Sequence, residues 1–155
     1  MATRSNQYDV PTYDGDFAAW SFHQAMLLRS GQLHLLDRAW IAEELESLGH
    51  EQFDKLESAL RVVLMHILKW DYQPERRTRS WTISIRTQRK QILKQLHRNP
   101  SLISRQNEAV AEAYDDARFQ ASGETDLALK IFPVTCPYDW ETIMTRMIVM
   151  PDDET

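Results

Sequence analysis

The amino-acid sequence predicts an all-α fold, and three observations support that prediction. The chain has 155 residues but only four glycines and six prolines, whereas β-sandwiches and barrels need many turns. No long segment alternates apolar and polar residues, so no strand is predicted. Several segments instead repeat apolar residues at three- and four-residue spacing, which is typical of one face of a helix.

Glycines and prolines divide the chain into six predicted helices. Gly31, Gly49 and Gly123 each follow a helix-like run, where a left-handed residue commonly ends a helix. Pro74 and Pro100 stop two further runs, because proline cannot continue a helix. The predicted helices cover residues 15–30, 37–48, 50–72, 80–98, 101–122 and 138–147.

Residues suited to helix starts precede several of these runs. Asp37, Ser80 and Ser101 are favourable N-cap residues, and Pro137 suits the first turn of the last helix. The residues of about 1–12 and 150–155 are predicted to be flexible, exposed tails.

Each predicted helix has an apolar face. In the third, apolar residues extend almost round the middle of the helix, which is typical of a central position in a bundle. The sequence therefore predicts one compact domain over residues 1–155, with five to six helices packed around residues 50–72. The faces of the first five helices, in order, are Phe17, Trp20, Leu27 and Leu28; Trp40, Ile41, Leu45 and Leu48; Phe53, Leu56, Leu60, Val63, Leu64 and Ile67; Trp81, Ile85, Ile92 and Leu96; and the small residues Val110, Ala113, Ala117 and Ala121.

Composition predicts a cytoplasmic protein that makes no membrane contact. The longest aliphatic run, Val62–Met65, is far too short to span a bilayer, and the first residues contain no apolar signal core. Cys136 is the single cysteine, which cannot form an internal disulfide and fits a reducing compartment.

Two charged residues fall inside predicted apolar faces. Glu44 lies within the face of the second helix, and Arg89 lies within that of the fourth. Each is costly to bury alone, so we expect a buried ion pair between them that fixes helix register. The alternative is a charged cavity that holds a ligand or performs catalysis.

Charge is strongly segregated along the chain. Residues 76–98 contain eight basic residues and no acidic one, whereas the rest of the chain contains ten basic and 23 acidic residues. We expect this basic segment to pack beside the acidic second and third helices, which would neutralise it internally. The alternative is salt-sensitive binding of a nucleic acid by a free basic segment.

Aromatic residues accompany the start of the basic segment. Trp70, Tyr72 and Trp81, with Arg76, have the composition of a binding hot spot, and any functional surface is predicted here. The alternative is that these rings close the bottom of the core.

No catalytic or metal-binding constellation is found, and no cofactor is predicted. Glu43, Glu46 and His50 have helical spacing, but Gly49 is predicted to end the helix between them. Helical di-iron and zinc motifs are absent from the sequence. Cys136 precedes a predicted helix, which would favour a reactive thiol, but no histidine lies near it in sequence, and an inert thiol is expected.

The ordered landmarks of the chain resemble the bacterial family catalogued as domain of unknown function 29, over roughly residues 8–148. Ala18 is a departure, since many relatives have an aromatic residue there. The resemblance implies a single small helical domain without an established activity. The landmarks are Tyr13-Asp14, Asp16-Phe17 and Trp20; Gln24-Ala25 and Leu27–Arg29; Ala42–Gly49; Leu68–Trp70 and Tyr72–Pro74; Ser80-Trp81; Gln88-Arg89; Pro100–Leu102; Ala113-Tyr114; Phe132-Pro133; and Cys136–Tyr138.

The sequence therefore favours a non-enzymatic interaction or self-association module whose partner is a protein or a second copy. The alternative is a nucleic-acid-associated factor or a metal-dependent, nuclease-like hydrolase that uses Glu44, Arg89 and the basic segment 76–98.

Overall fold

The computed structural model describes residues 10–150 and residue 152, and within them the fold is all-α, as predicted. Five α-helices are connected by loops and short 3₁₀ turns, and these described residues form no strand. The helices are α1 (Phe17–Arg29), α2 (Arg38–Tyr72), α3 (Arg79–Arg98), α4 (Gln106–Thr125) and α5 (Trp140–Thr145).

Internal contacts divide the chain into two units at Gly49, and each is described by itself. The prediction of one domain over residues 1–155 therefore stays a prediction. Most residues of the two predicted tails lie outside the described part of the chain.

Unit one, described over residues 10–49, contains α1 and the first third of α2. The Asp16 side chain caps α1 by accepting a hydrogen bond from the Ala19 backbone N–H. The helix ends before Gly31, whose φ of +74° is the left-handed conformation predicted for it. Gln24, although buried, accepts a hydrogen bond from the Asp37 backbone N–H at 2.9 Å, which joins α1 to the start of α2.

The prediction that Gly49 ends a helix is wrong, because α2 continues through it from Arg38 to Tyr72. Gly49 lacks the positive φ of Gly31. A helical glycine costs about 1 kcal/mol relative to alanine, less than losing the helical hydrogen bonds on both sides. Gly123 likewise lies within α4, and the left-handed residue after that helix is Asp126, with a φ of 58°.

Unit two, described over residues 50–150 and residue 152, is built around the second part of α2. Most apolar side chains of this part of the helix are buried, as its apolar circumference predicted. The face of α3 predicted from Trp81, Ile85, Ile92 and Leu96 is buried against this core. On α4, Ala113, Ala117 and Ala121 are fully buried, and such small residues allow close approach of a neighbouring helix.

Three further predictions need correction. The apolar face of the second helix is largely exposed, since Trp40, Leu45 and Leu48 retain 39–64% of their accessible area. Ser101 caps no α-helix, because the segment Pro100–Arg105 forms a 3₁₀ helix before α4. The last helix, α5, is capped by Asp139 rather than begun by Pro137. Within residues 10–150, no helix has the length and apolarity needed to cross a bilayer.

Candidate functional site

A cleft of about 630 Å³ in unit two lies between α3 and the chain that follows α5. Its walls combine basic and apolar side chains, and Ile83, Leu93 and Met147 are 60–80% exposed. We name it the cationic cleft. Its lining residues are Arg79, Thr82, Ile83, Ile85, Arg86, Arg89, Lys90, Leu93 and Thr145–Val149.

Helical periodicity explains why α3 presents this wall. Residues that follow one another at spacings of three or four positions share one side of a helix. On α3 these residues are Arg79, Ile83, Arg86, Lys90 and Leu93. The apolar face described above anchors the other side of α3 in the core. The cleft wall is therefore held in place by the apolar residues that α3 buries on its other side.

Arg89 fixes the second wall of the cleft to α3. Its guanidinium donates three hydrogen bonds to backbone carbonyls at the end of α5, those of Ile143 (2.7 Å), Arg146 (2.8 Å) and Thr142 (3.4 Å). The last carbonyls of a helix have no partner within the helix, and Arg89 supplies one. Burial, with the nearby charge of Arg146, lowers the pKa of Arg89 from its usual value, but a guanidinium remains charged in proteins.

Glu44 and Arg89 lie in different units, so the predicted ion pair between them stays a prediction, and each side chain has other partners within its own unit. Both side chains are only partly buried, and Arg89 is satisfied by carbonyls without a carboxylate. Glu44, in unit one, accepts a 2.5 Å hydrogen bond from the Tyr13 hydroxyl, and that bond raises the pKa of Tyr13. The Tyr13 ring is stacked on Trp40, with 3.9 Å between ring centroids. Helical periodicity predicted that Glu44 and Arg89 lie on the apolar faces of their helices. It could not predict that a tyrosine hydroxyl and backbone carbonyls would be their partners.

A second network stabilises the far side of the cleft. Arg146 donates two hydrogen bonds to the Asp71 carboxylate, at 2.6 and 2.9 Å, and the Tyr138 hydroxyl donates a third at 2.8 Å. Burial raises the pKa of Asp71, but these bonds outweigh it and hold the pKa below its usual value. Arg146 is therefore engaged in structure and does not contribute a free charge to the cleft.

The available positive charge of the cleft comes mainly from two residues. Arg86 and Lys90 are exposed, and neither forms an ion pair with any residue that the structure describes. Arg79 lies 4.0 Å from Asp152. The expected neutralisation of the basic segment by the acidic helices is therefore not seen for Arg86 and Lys90. Glu51, one of the expected partners, pairs with Lys55 instead.

The two tryptophans of the predicted aromatic surface are buried in unit two. Trp70 and Trp81 are 6% and 9% exposed and belong to the core, which favours the core alternative for these rings. A cationic side chain lies over each buried ring. The guanidinium carbon of Arg77 is 4.6 Å from the centroid of the Trp70 ring, and the Lys69 ammonium is 4.5 Å from that of the Trp81 ring. Tyr72 is half-buried against Phe132, and Arg76 is exposed.

Sequence reasoning missed Lys69 as a buried charge. Its side chain is 8% exposed and pairs with Glu124 of α4, while its ammonium lies over Trp81. His66, one turn earlier, has its pKa lowered by burial and by Lys69. The position of Lys69 between Leu68 and Trp70, in a helix predicted to be central, could have indicated a buried charge. Such a charge requires a partner.

The exposed apolar residues of the cleft were missed as well. Ile83 lies among the basic residues of α3, away from the buried face. An isoleucine at such a position could have indicated an exposed apolar surface. Met147 was predicted to lie at the end of the last helix, but α5 ends at Thr145 and Met147 lies in the segment that follows it.

The described residues contain no group of three or more histidine, cysteine, aspartate or glutamate residues able to hold a metal ion. Burial raises the pKa of the Cys136 thiol, which disfavours the reactive thiolate. The cationic cleft offers positive charge beside exposed apolar surface.

Comparison with known proteins shows a relationship at the level of the family. No curated protein and no solved structure matches the chain. The sequence model described as Domain of unknown function DUF29 matches residues 12–148, which is most of the chain. This confirms the resemblance seen in the ordered landmarks, and the chain belongs to the DUF29 family.

Proposed function

We propose that this protein is a non-catalytic interaction module that binds an acidic, partly apolar protein segment in the cationic cleft. The observation that carries the proposal is the pairing of exposed Ile83, Leu93 and Met147 with the exposed, unpaired cations Arg86 and Lys90. A cytoplasmic location, where proteins keep their thiols reduced, is part of the proposal and fits the single cysteine.

The two kinds of side chain have different parts in binding. Large exposed apolar groups gain about 25 cal/mol for each Å² that a partner removes from water. The cations attract acidic partners from a distance and set their orientation, more than they add to affinity. A partner segment with both acidic and apolar side chains would satisfy the whole cleft.

The lining of the cleft favours a protein partner over a single-stranded nucleic acid. Binding of single strands combines positive charge with aromatic rings on which the bases stack. Among the described residues that line the cleft, none is aromatic, and the rings of Trp70 and Trp81 are buried elsewhere. Exposed aliphatic side chains offer no comparable contact to bases or phosphates.

Fluorescence anisotropy with a labelled synthetic helical peptide of glutamate and leucine tests this proposal. We expect Arg86→Gln/Lys90→Gln to weaken binding about tenfold, or about 1.4 kcal/mol, because two exposed ion pairs are lost. The matched control is Arg98→Gln/Lys130→Gln, which changes the net charge equally at exposed positions outside the cleft.

Two results would contradict the proposal. One is the absence of acidic peptide binding by the wild-type protein, and the other is an equal loss in the control variant. Submicromolar, salt-sensitive binding of DNA or RNA in a gel shift, abolished by Arg86→Gln/Lys90→Gln, would replace the proposal by the nucleic-acid alternative.

A further inference from the structure

Unit two presents an acidic surface as well as a basic one. Glu112 and Asp116, both exposed, are four residues apart on α4, and they lie close enough to Glu57 of α2 to raise its pKa, as does Asp54. We name these four residues the acidic face. None of them forms an ion pair with another described residue.

The acidic face brings like charges together, and nearby arginines relieve only part of their repulsion. Burial is the largest cause of the raised pKa of Glu57, and Asp116, Glu112 and Asp54 raise it further, while Arg61 opposes them. One carboxylate oxygen of Glu57 is buried without a hydrogen-bond partner. A cationic surface docked against this face would relieve that repulsion.

An exposed aromatic residue lies beside the acidic face. Phe119 is 56% exposed and follows Asp116 by three residues on α4, so the two are neighbours on the helix surface. The side of α4 with Glu112, Asp116 and Phe119 is thus acidic and partly apolar. This is the combination that the cationic cleft requires of its occupant.

We infer that the occupant of the cationic cleft is a second copy of this chain, which packs Phe119 against the exposed apolar side chains of the cleft and places Glu112 and Asp116 beside Arg86 and Lys90. The inference rests on the proposed function and adds the identity of the partner. It is carried by charge complementarity between two cations of the cleft, Arg86 and Lys90, and the acidic face, none of which forms an ion pair with another described residue.

The acidic residues Asp152, Asp153 and Glu154 fit the cleft less well. Asp152 reaches Arg79 at 4.0 Å, but these three residues are consecutive and contain no apolar side chain to cover Ile83 and Leu93. They match the charge of the cleft alone, whereas α4 matches both its charge and its apolar surface.

The proposed contact joins two different surfaces, so it is heterologous, and the association is expected to grow with protein concentration. It is also expected to weaken as salt is added, because the paired groups are exposed.

Sedimentation velocity of charge-reversed variants tests the inference. Arg86→Glu/Lys90→Glu and Glu112→Lys/Asp116→Lys should each weaken self-association at least about tenfold, because each brings like charges together. The four changes combined in one chain should restore it, since opposite charges again face each other.

A matched variant separates this contact from general charge effects. Arg98→Glu/Lys130→Glu combined with Glu112→Lys/Asp116→Lys has the same net charge as the fourfold exchange but leaves the cleft basic. It should not restore self-association. Phe119→Ala should weaken self-association without any change of charge, and thermal melts should show that all variants remain folded.

The outcomes distinguish this inference from the proposed function. If the wild-type protein binds the glutamate–leucine peptide but remains monomeric up to high micromolar concentration, the inference is overturned and the proposed function stands. If it neither binds the peptide nor self-associates, both are wrong. Self-association that neither reversed pair weakens, or that the matched variant restores equally, also overturns the inference.

Discussion

Three of the buried or partly buried charged side chains of unit two illustrate three different kinds of partner. Lys69 pairs with Glu124 and lies over Trp81, Asp71 receives two hydrogen bonds from Arg146, and Arg89 donates only to backbone carbonyls. A charge inside a protein is tolerated when its polar atoms are satisfied, and a carboxylate partner is only one way to achieve this.

Acid should weaken the fold through Asp71. Its folded-state pKa lies below the ordinary value, so its bonds to Arg146 and Tyr138 stabilise the protein above the unfolded-state pKa. That stability is lost as the pH falls through the folded-state pKa. We expect Asp71→Asn to lower the free energy of unfolding by about 2 kcal/mol at neutral pH. The difference in the free energy of unfolding between Asp71→Asn and wild type should shrink as the pH falls.

Urea titrations of both proteins from neutral to acid pH would measure this effect. Glu141→Gln, which changes an exposed carboxylate of α5 that makes no described ion pair, is the control and should differ little from wild type at any pH. If the free energies of unfolding of Asp71→Asn and wild type differed by the same amount at every pH, the proposed loss of stability through protonation of Asp71 would be contradicted.

At the scale of elements, α3 and α5 depend on each other through one side chain. The helix α5 has only six residues, too few for a helix to be stable alone in water. The carbonyls at its end are satisfied by Arg89, whose own position is set by the buried face of α3. The wall of the cationic cleft therefore depends on tertiary contacts rather than on local helix propensity.

Removal of the Arg89 side chain should release the end of α5. We expect Arg89→Ala to lower the free energy of unfolding by about 2 kcal/mol, because the carbonyls of Ile143 and Arg146 lose a charged donor. Arg89→Lys should recover only part of this, since an ammonium cannot match the planar guanidinium. Urea unfolding and amide exchange in residues 140–149 would show the effect. A loss no larger than that of Arg98→Ala, an exposed arginine on the same helix, would disprove it.

Gly49 should tolerate alanine with a gain in stability. It is helical within α2, and an added Cβ atom would meet nothing within 4 Å. We therefore expect Gly49→Ala to raise the free energy of unfolding by about 0.5–1 kcal/mol. The matched change Gly31→Ala, at a φ of +74°, should instead be destabilising. Thermal melts would compare the two, and a loss of stability for Gly49→Ala would indicate that α2 ends at this residue.

At the scale of the whole molecule, charge is segregated along the chain rather than evenly mixed. The net charge of −5 conceals a segment, residues 76–98, with eight basic residues and no acidic one. Part of this charge is used inside unit two by Arg77 and Arg89, which bond to backbone carbonyls. The remainder includes Arg86 and Lys90, which lie in the cationic cleft, and it is this exposed remainder that the proposed partner would neutralise.

Much of the architecture follows from the sequence. The period of the apolar residues predicted the helices and the central position of residues 50–72, because burial of an apolar face is the main favourable term in packing helices. Pro74 and the left-handed Gly31 marked the ends of two helices correctly, since their backbone preferences are local. The two helix ends predicted at Gly49 and Gly123 were wrong because a glycine alone permits, but does not require, a left-handed residue.

The partners of the charged side chains were decided only by the tertiary structure. Helical spacing predicted that Glu44 and Arg89 lie on inner faces, but whether each meets a carboxylate, a hydroxyl or a carbonyl depends on segments far away in sequence. Trp70 and Trp81 illustrate the same limit, because composition alone suits both a binding hot spot and a core. Secondary structure depends on local preferences and periodicity, whereas the cationic cleft arises from contacts between residues more than 50 positions apart, and these exist only after the chain has folded.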